Sequence, residues 1–334
     1  LSGANTYSGG TTVNSGTLQG NTTSLRGNIV NDAAVVFSQG ASGTYAGNMS
    51  GSGTLTKTGG GILTLSGTNT YSGGTTVSAG TLTGTTESLQ GAITNNAAVV
   101  FDQATTGTYA GVMSGTGTLT KTGSGVVILV GDNTYGGGTI LSGGVLQLGN
   151  SGTTGWIAGN VAMSNNAMLA FNRTDDVTFG GNISGDGRLM LMGPGKVTLT
   201  GANTFTGGTV IGGGTVEASS DAAFGAPGAT LTVTGGATVL ALASFTSDRP
   251  IELLGVGGKF DTNGNILTLQ GAITGDGALT KIGGGTLILT GANDYGGGTT
   301  VQAGVVKGNS VSLRGPIINN AQVEFDQATD GTYA

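Results

Sequence analysis

The sequence contains neither cysteine nor histidine, and these two absences exclude several classes of site. Without cysteine there are no disulfides, thiolate metal ligands or cysteine nucleophiles. Without histidine there is no Ser-His or Cys-His catalytic pair and no histidine-based zinc site. We therefore expect no catalytic residue, no metal and no cofactor, although a pair of carboxylates stays possible in principle.

Charged residues and long apolar runs are also scarce. Charged side chains make up 8% of the chain and the net charge is −6. No apolar run approaches the roughly 20 residues of a membrane helix. The charge is small and spread along the chain, so we expect neither nucleic acid nor an anionic membrane surface as a partner. Hydrophobic residues, at 37%, are too frequent for a disordered chain, and the 70 glycines lack the period of collagen.

What the sequence does contain is one motif in five copies. The motif reads L-S-G-A-N-T-Y-S-G-G-T-T-V at Leu1–Val13 and L-T-G-A-N-D-Y-G-G-G-T-T-V at Leu289–Val301. The five copies start at Leu1, Leu65, Leu129, Leu199 and Leu289. This repeat of about 64 residues predicts a repeat architecture. The least repetitive segment, at about residues 212–258, lies in the long fourth repeat and is the place where we expect a specialised function.

Short segments of alternating apolar and polar residues, such as Leu63–Leu65, predict β-strands. Glycine and asparagine separate them every few residues, which is compatible with a sandwich, a propeller or a β-solenoid. The fourth repeat is longer by about 26 residues, close to one extra coil, which a solenoid tolerates and a closed propeller does not. We therefore predict one continuous parallel β-helix over residues 1–334, with about three coils per repeat and a rod on the order of 75 Å long.

Comparison of the repeats predicts which side chains face inward. Leu55, Leu65, Phe37 and Phe101 are expected in the core. The position shared by Val36, Val100, Ala170 and Glu324 is expected to face water, because its residue types vary from hydrophobic to charged. Outward threonines such as Thr54, Thr64 and Thr198 are expected to form a polar row. The row is expected to be patchy, because Ile128 and Ile288 occupy the repeat position of Thr64 and Thr198.

Three kinds of residue in the repeat invite a more specific interpretation. Lys57, Lys121 and Lys281 stand where the third copy has Leu191, so we expect their methylenes on the edge of the core and their amines in solvent. The asparagine of each N-T-Y turn is expected to bond its own turn. The following tyrosine is Phe205 in the fourth copy, which favours packing over hydroxyl chemistry.

Four residues are weak candidates for ligand binding. Asp175 and Asp176, beside Arg173, form the densest cluster of charge, for which a solvated loop is favoured over a polysaccharide or calcium site. Trp156 is the one tryptophan, for which a packed loop is favoured over a stacking platform for sugar. Leu1 and Ala334 both fall in the middle of a repeat, so the chain is expected to be a slice of a longer array.

The segment Leu55–Val77 reads L-T-K-T-G-G-G-I-L-T-L-S-G-T-N-T-Y-S-G-G-T-T-V. It resembles the passenger-associated transport repeat, or autotransporter-associated β-strand repeat, of autotransporters, and the likeness touches all five copies. The resemblance implies a right-handed parallel β-helix exported through the bacterial outer membrane and displayed outside the cell. Contact with that membrane is expected only through a barrel domain outside this sequence. Leu191 and Pro194 depart from the pattern.

Three functions are compatible with these observations. We favour a surface-displayed passenger that acts in adhesion, autoaggregation or biofilm formation, with neighbouring passengers or host and matrix glycans or proteins as partners. An inert spacer that presents a binding domain elsewhere in the parent chain is a second possibility, and it is compatible with the first. A polysaccharide-acting β-helix enzyme is a third, but it needs a cleft of convergent carboxylates and basic residues, which 8% charge hardly allows.

Overall fold

The computed structural model describes residues 1–333, so Ala334 lies outside the described residues. The chain divides into two compact units. Unit 1 comprises Leu1–Asn150 and Thr154–Ala167, and unit 2 comprises Ser151–Thr153 and the residues from Met168 onward. Both units consist of short strands joined by tight corners, and one 3-10 helix occurs among the described residues.

The strands up to the end of unit 1 are β1 (Thr11–Val13), β2 (Thr17–Gly20), β3 (Ile29–Asn31), β4 (Ala34–Ser38), β5 (Gly43–Tyr45), β6 (Met49–Ser50), β7 (Thr54–Thr58), β8 (Ile62–Leu65), β9 (Thr75–Val77), β10 (Thr81–Gly84), β11 (Ile93–Asn95), β12 (Ala98–Asp102), β13 (Gly107–Tyr109), β14 (Met113–Ser114), β15 (Thr118–Thr122), β16 (Val126–Leu129), β17 (Thr139–Leu141), β18 (Val145–Gly152) and β19 (Val161–Met163).

The later strands are β20 (Met168–Arg173), β21 (Val177–Phe179), β22 (Ile183–Gly185), β23 (Arg188–Leu191), β24 (Lys196–Leu199), β25 (Thr209–Ile211), β26 (Thr215–Ala218), β27 (Leu231–Thr234), β28 (Thr238–Ala241), β29 (Phe245–Ser247), β30 (Ile251–Leu254), β31 (Gly258–Asp261), β32 (Ile266–Leu269), β33 (Ile273–Gly275), β34 (Leu279–Ile282), β35 (Thr286–Leu289), β36 (Asp294–Tyr295), β37 (Thr299–Val301), β38 (Val305–Gly308), β39 (Ile317–Asn319) and β40 (Gln322–Phe325). The 3-10 helix spans Asp221–Phe224.

Each unit is a parallel β-solenoid. In unit 1 the chain runs through β11, β12 and β13 before β14 pairs in parallel with β11, so one coil contributes a strand to each of three sheets. Successive coils pair every 17 to 20 residues or so, as in the register from Leu63 to Leu82, Val99 and Leu119. The predicted all-β parallel β-helix class is confirmed. The right-handedness and the continuity over residues 1–334 stay predictions.

Strands at equivalent positions of successive repeats lie in successive sheets, and we call this shift the one-sheet advance. In unit 1 we number the sheets from the N-terminus: sheet 1 (β1, β3, β6), sheet 2 (β2, β4, β7, β9, β11, β14), sheet 3 (β5, β8, β10, β12, β15, β17, β19) and sheet 4 (β13, β16, β18). β7 lies in sheet 2, whereas β15, its equivalent one repeat later, lies in sheet 3. β8 and β16 are related in the same way, in sheets 3 and 4. A repeat therefore spans three full coils and one further strand position, on the next of the three sheets. This is slightly more than the three coils predicted.

Unit 2 shows the same advance, since the equivalent strands β24 and β35 lie in different sheets. From β24 the parallel pairing passes through β26, β28 and β31 to β34, which is four steps. The corresponding path in unit 1, from β8 to β15, takes three steps. One extra coil therefore accounts for most of the greater length of the fourth repeat.

The core of each unit is a column of inward apolar side chains. Leu55, Leu65, Phe37 and Phe101 are all buried, as predicted. Ring pairs stiffen the column, with centroids 5.1 Å apart for Phe37 and Tyr45. In sheets, such edge-on aromatic contacts add to the free energy gained from burial itself.

The predicted water-facing position is half-buried at Val36 and Val100 and exposed at Glu324. The prediction is wrong for Ala170, which is fully buried. Ala170 pairs in register with Met190 on the next strand, so the position shared by the repeats is not equally exposed in every sheet.

Candidate functional site

The predicted amines in solvent are wrong, because Lys57, Lys121 and Lys281 are completely buried. The Nζ of Lys57 donates to the carbonyls of Thr58 (3.0 Å) and Gly59 (2.6 Å) in its own corner, and to Ala79 (3.0 Å) in the next coil. The other two lysines repeat this pattern, Lys121 with Thr122, Gly123 and Gly143, and Lys281 with Ile282, Gly283 and Ala303. Each ammonium therefore ties two coils together, and we refer to these three side chains as the lysine caps.

Burial lowers the pKa of all three lysine caps, because a charged amine loses hydration in the interior. Asp102 opposes this shift at Lys121, and Asp261 opposes it at Lys281. Sequence comparison missed this role because hydropathy reads a buried lysine as a surface residue. The signal that it overlooked is the glycine two positions after each lysine.

That glycine turns its carbonyl toward the amine. Gly59 and Gly123 both have a φ of 76°, in the left-handed region that glycine tolerates. In the third copy Gly193 has no positive φ, because Pro194 disfavours compact conformations of the residue before it. The backbone of this corner therefore differs in the repeat where Leu191 replaces the lysine.

We expect Lys121→Met to lower the free energy of unfolding by about 2–3 kcal/mol, because buried carbonyls lose a charged donor. The matched control is Lys259→Met, at an exposed lysine, which should cost under about 0.5 kcal/mol. The double variant Lys121→Leu, Ser124→Pro copies the third-repeat corner and should recover part of the loss. Urea unfolding followed by circular dichroism measures all three, and equal losses for Lys121→Met and Lys259→Met would contradict the capping role.

The asparagine of the N-T-Y turn joins neighbouring coils. The prediction that it bonds its own turn holds for Asn133, whose Nδ2 donates to the carbonyl of Gly131 (2.8 Å), and is wrong for Asn69, whose side chain bonds only the adjacent coils. The Asn69 Oδ1 accepts from the amide of Met49 in the coil before (2.8 Å), and its Nδ2 donates to Ser88 in the coil after (2.8 Å). Asn133 likewise accepts from Met113 (2.8 Å). Met49 and Met113 belong to β6 and β14, where sheets 1 and 2 end. The side-chain amide thus continues the hydrogen bonding at the point where a strand is missing.

The tyrosine two residues on both packs and hydrogen-bonds. Tyr71 is buried, and its hydroxyl lies 2.6 Å from that of Thr75. Burial raises the pKa of Tyr71 to about 12, and the bond to Thr75 opposes that shift. In the fourth copy Phe205 lacks the hydroxyl, and the equivalent Thr209 donates instead to the carbonyl of Phe224 (3.2 Å).

An open cleft of about 450 Å³ lies beside the N-T-Y turn of the second repeat. Its lining residues are mostly uncharged, and Glu87 is the one charged residue among them. The lining residues are Thr68, Asn69, Thr70, Tyr71, Ser72, Glu87, Gln90 and Gly91. A second cleft, of about 470 Å³, lies at the same turn of the first repeat, around Asn5 and Tyr7. Ligand sites in proteins have volumes in this range.

Trp156 lies in unit 1 and is half-buried. Its carbonyl accepts from the amide and the side-chain Nδ2 of Asn133, both at 2.9 Å. Its backbone pairs with Asp132 as an isolated parallel bridge, and Asp132 accepts from the amide of Gly155 (2.9 Å). The tryptophan thus stands next to the N-T-Y turn of the third repeat.

Arg173, Asp175 and Asp176 lie in unit 2. Arg173 is buried and forms a bidentate pair with Asp175, at 2.9 and 2.8 Å, and it also donates to the carbonyl of Thr153. Hydrogen bonds from Arg173 lower the pKa of Asp175. In the first two repeats the equivalent residues are Gln39 and Gln103, which are also buried. Arg173 thus supports a corner of its coil in the same way as these glutamines.

Asp176 is exposed and belongs to a separate ionic network on the surface. Lys196 lies 3.3 Å from Asp176 and 3.1 Å from Glu217, and Glu217 also accepts from Thr198 (2.6 Å). The bonds to Glu217 and then Asp176 raise the pKa of Lys196. Within residues 1–333 no group of three or more acidic side chains is placed to hold a metal ion.

A row of hydroxyl groups follows the outward face of sheet 2. Thr56, Thr76, Thr94 and Ser114 are paired in register on four consecutive strands. Each is half-buried or exposed, and the row contains no charge. The predicted row through equivalent repeat positions is wrong, because Thr64 lies in sheet 3 and Ile128 in sheet 4. The rows on this solenoid instead combine different positions of the repeat.

The passenger-associated-transport-repeat family model matches residues 1–19, 55–83, 119–148, 192–218 and 279–307. The chain is also similar to a protein of Brucella suis biovar 1 (strain 1330) called "Adhesin BmaC autotransporter". The two are 33% identical over 248 residues, which is 70% of this chain and 6% of that protein. No solved structure matches the chain. Among residues 1–333 no helix is long and apolar enough to span a membrane.

Proposed function

Because this chain belongs to the autotransporter passengers that carry passenger-associated transport repeats, we propose that it is displayed outside the bacterial cell and acts in adhesion and autoaggregation. The proposal starts from the likeness to an autotransporter adhesin. The chain spans about 6% of that relative's length, so the proposed role concerns this segment. Neighbouring passengers and host or matrix glycans or proteins are the partners we propose.

The in-register row Thr56, Thr76, Thr94 and Ser114 is the observation that carries this proposal. Strands in a parallel sheet are about 4.8 Å apart, so the hydroxyls recur at that spacing and can donate to or accept from a partner. The row contains no charged side chain, so it does not repel the same row on a second copy of the chain. Each contact is weak, but a cell that displays many passengers makes many contacts at once, so we expect avid binding between cells. The isolated chain is expected to be monomeric at micromolar concentration.

We propose no catalytic role. The one charged residue in the cleft of the second repeat is Glu87, whereas hydrolysis of a glycosidic bond uses two carboxylates. Among the candidate residues, Arg173 and Asp175 form a bidentate ion pair, so their hydrogen-bonding groups are already occupied by each other.

Cells that display the parent passenger are expected to settle together, and the double variant Thr56→Lys, Thr94→Lys should disperse them. The two charges stand two strands apart, about 9.6 Å, so they oppose association with little repulsion within the fold. The control Thr56→Ser, Thr94→Ser keeps both hydroxyls and should settle like the parent. Sedimentation of the cultures, with display checked by antibody, measures this. A charged variant that still clumps, or a display strain that never clumps, would make this segment a spacer.

A further inference from the structure

The six methionines of the chain fall into two sets that differ in exposure. Three are buried in the core of unit 1, namely Met49, Met113 and Met163. The other three lie in unit 2, where Met168 and Met190 are half-buried and Met192 is 42% exposed. Because the chain has no cysteine, the six thioethers hold all of its sulfur. The methionines that solvent reaches are therefore confined to one unit.

The three methionines of unit 2 occupy neighbouring outward places on two adjacent strands. Met190 lies in β23 and Met192 directly follows that strand, so their side chains project from the same face of the sheet. Met190 pairs in register with Ala170 of β20, and Met168 stands two residues before that alanine. On its other side Met190 pairs with Val210 of β25. We call Met168, Met190 and Met192 the methionine face.

Other repeats carry polar groups at the positions of the methionine face. The third copy reads L-M-L-M-G at 189–193, where other copies read L-T-K-T-G at 55–59 and 119–123 and L-T-K-I-G at 279–283. Threonine therefore stands at the position of Met190 in all three, and at that of Met192 in two. Each of these threonines is half-buried. At the position of Met168 the last repeat has Gln322, which is exposed. The fold thus accepts a polar oxygen at all three positions.

We propose that the methionine face is a site of reversible oxidation by hydrogen peroxide. One peroxide oxygen is transferred to the thioether sulfur: the O–O bond breaks, an S–O bond forms, water leaves, and the sulfur loses two electrons. The product, methionine sulfoxide, is polar, and methionine sulfoxide reductases return it to the thioether with a thiol as reductant. Its oxygen occupies outward positions that hold polar residues in other repeats, so unit 2 stays folded while the face changes from apolar to polar.

The buried methionines differ in both respects. Met49 and Met113 are completely buried, so peroxide reaches them only when the coil opens. A sulfoxide there would place an unpaired polar oxygen in the apolar core, which costs free energy. Oxidation is therefore confined to the methionine face as long as the chain is folded. This inference does not depend on the proposed adhesive function.

The test treats the 334-residue chain with increasing hydrogen peroxide and follows each methionine by tandem mass spectrometry. We expect Met192 to be oxidised first, followed by Met190 and Met168. All three should react at least about tenfold faster than the buried methionines, because susceptibility follows exposure. Circular dichroism and the urea midpoint of the chain that carries these three oxygens should match those of the untreated chain. A methionine sulfoxide reductase with dithiothreitol should remove the oxygens without prior unfolding.

The double variant Met190→Thr, Met192→Thr copies the sequence of the other repeats. It should keep the urea midpoint of the parent and lose two of the three early oxygen additions. The matched control is Met113→Leu, a volume-conserving change in the core, which should leave the early additions unchanged. Equal oxidation rates for outward and buried methionines, or unfolding of the chain by the first three additions, would overturn the proposal. These measurements involve neither cells nor a partner, so their outcome is separate from that of the cell-settling experiment.

Discussion

Leu119→Asp is expected to lower the free energy of unfolding of the chain by about 4 kcal/mol. Leu119 is completely buried in β15, with its backbone paired between Val99 and Thr139. An aspartate there places a carboxylate among apolar side chains with no basic partner in register. The group must either remain charged in the core or take up a proton, and both cost free energy.

The control for this variant is Val100→Lys on the neighbouring strand. Val100 is half-buried on the outward face, so the longer side chain reaches water and should cost under about 1 kcal/mol. Urea midpoints and slopes from circular dichroism compare the two variants. Similar losses would show that the inward and outward faces of sheet 3 are assigned incorrectly.

Arg249→Met is expected to cost about 3–5 kcal/mol, the range found when one partner of a buried ion pair is removed. Arg249 is completely buried and forms a bidentate pair with Asp221, at 2.7 and 2.8 Å. It also donates to the carbonyls of Phe224 (3.1 Å) and Ala229 (2.9 Å). One side chain therefore holds the 3-10 helix Asp221–Phe224 and the loop after it against the coil.

Arg188→Met, at an exposed arginine of the same unit, is the matched control and should change stability by under about 0.5 kcal/mol. Limited proteolysis gives a second readout, because loss of Arg249 should open the loop at residues 219–228 to cleavage before the strands unfold. A variant that resists both urea and protease as well as the parent would mean that the loop is held by its apolar contacts alone.

The fold class could be predicted from sequence because a repeat displays the same environment several times. Alternation around Leu55 and Leu65 identifies the strands, and comparison of repeats separates inward from outward positions. The one-sheet advance could not be predicted, because it depends on coil length, and coils here vary by several residues. A corner that gains or loses a single glycine leaves the periodic pattern unchanged but alters where the next strand starts.

The polar interior was harder to predict for a different reason. Lys57 and Arg249 are buried because backbone carbonyls at the corners need donors, and a pattern of side-chain polarity does not show which carbonyls lack them. Charge alone makes Arg173 a candidate for ligand binding, whereas its equivalence to Gln39 and Gln103 points to the corner role that the structure shows. The rarity of tryptophan makes Trp156 conspicuous in the sequence, but its place beside an N-T-Y turn is not evident there. That place follows only from the pairing of coils.

Because each repeat shifts its strands by one sheet, the direction in which a given repeat position faces depends on how many repeats come before it. Loss or duplication of a single repeat turns everything beyond it by one side of the coil, so a cleft that faced a partner then faces a neighbouring direction. Only a change of three repeats restores the original orientation, because three sheets surround the coil. We therefore expect length variation among arrays of this kind to be tolerated by the fold at any repeat number, but to preserve a given binding face only in multiples of three.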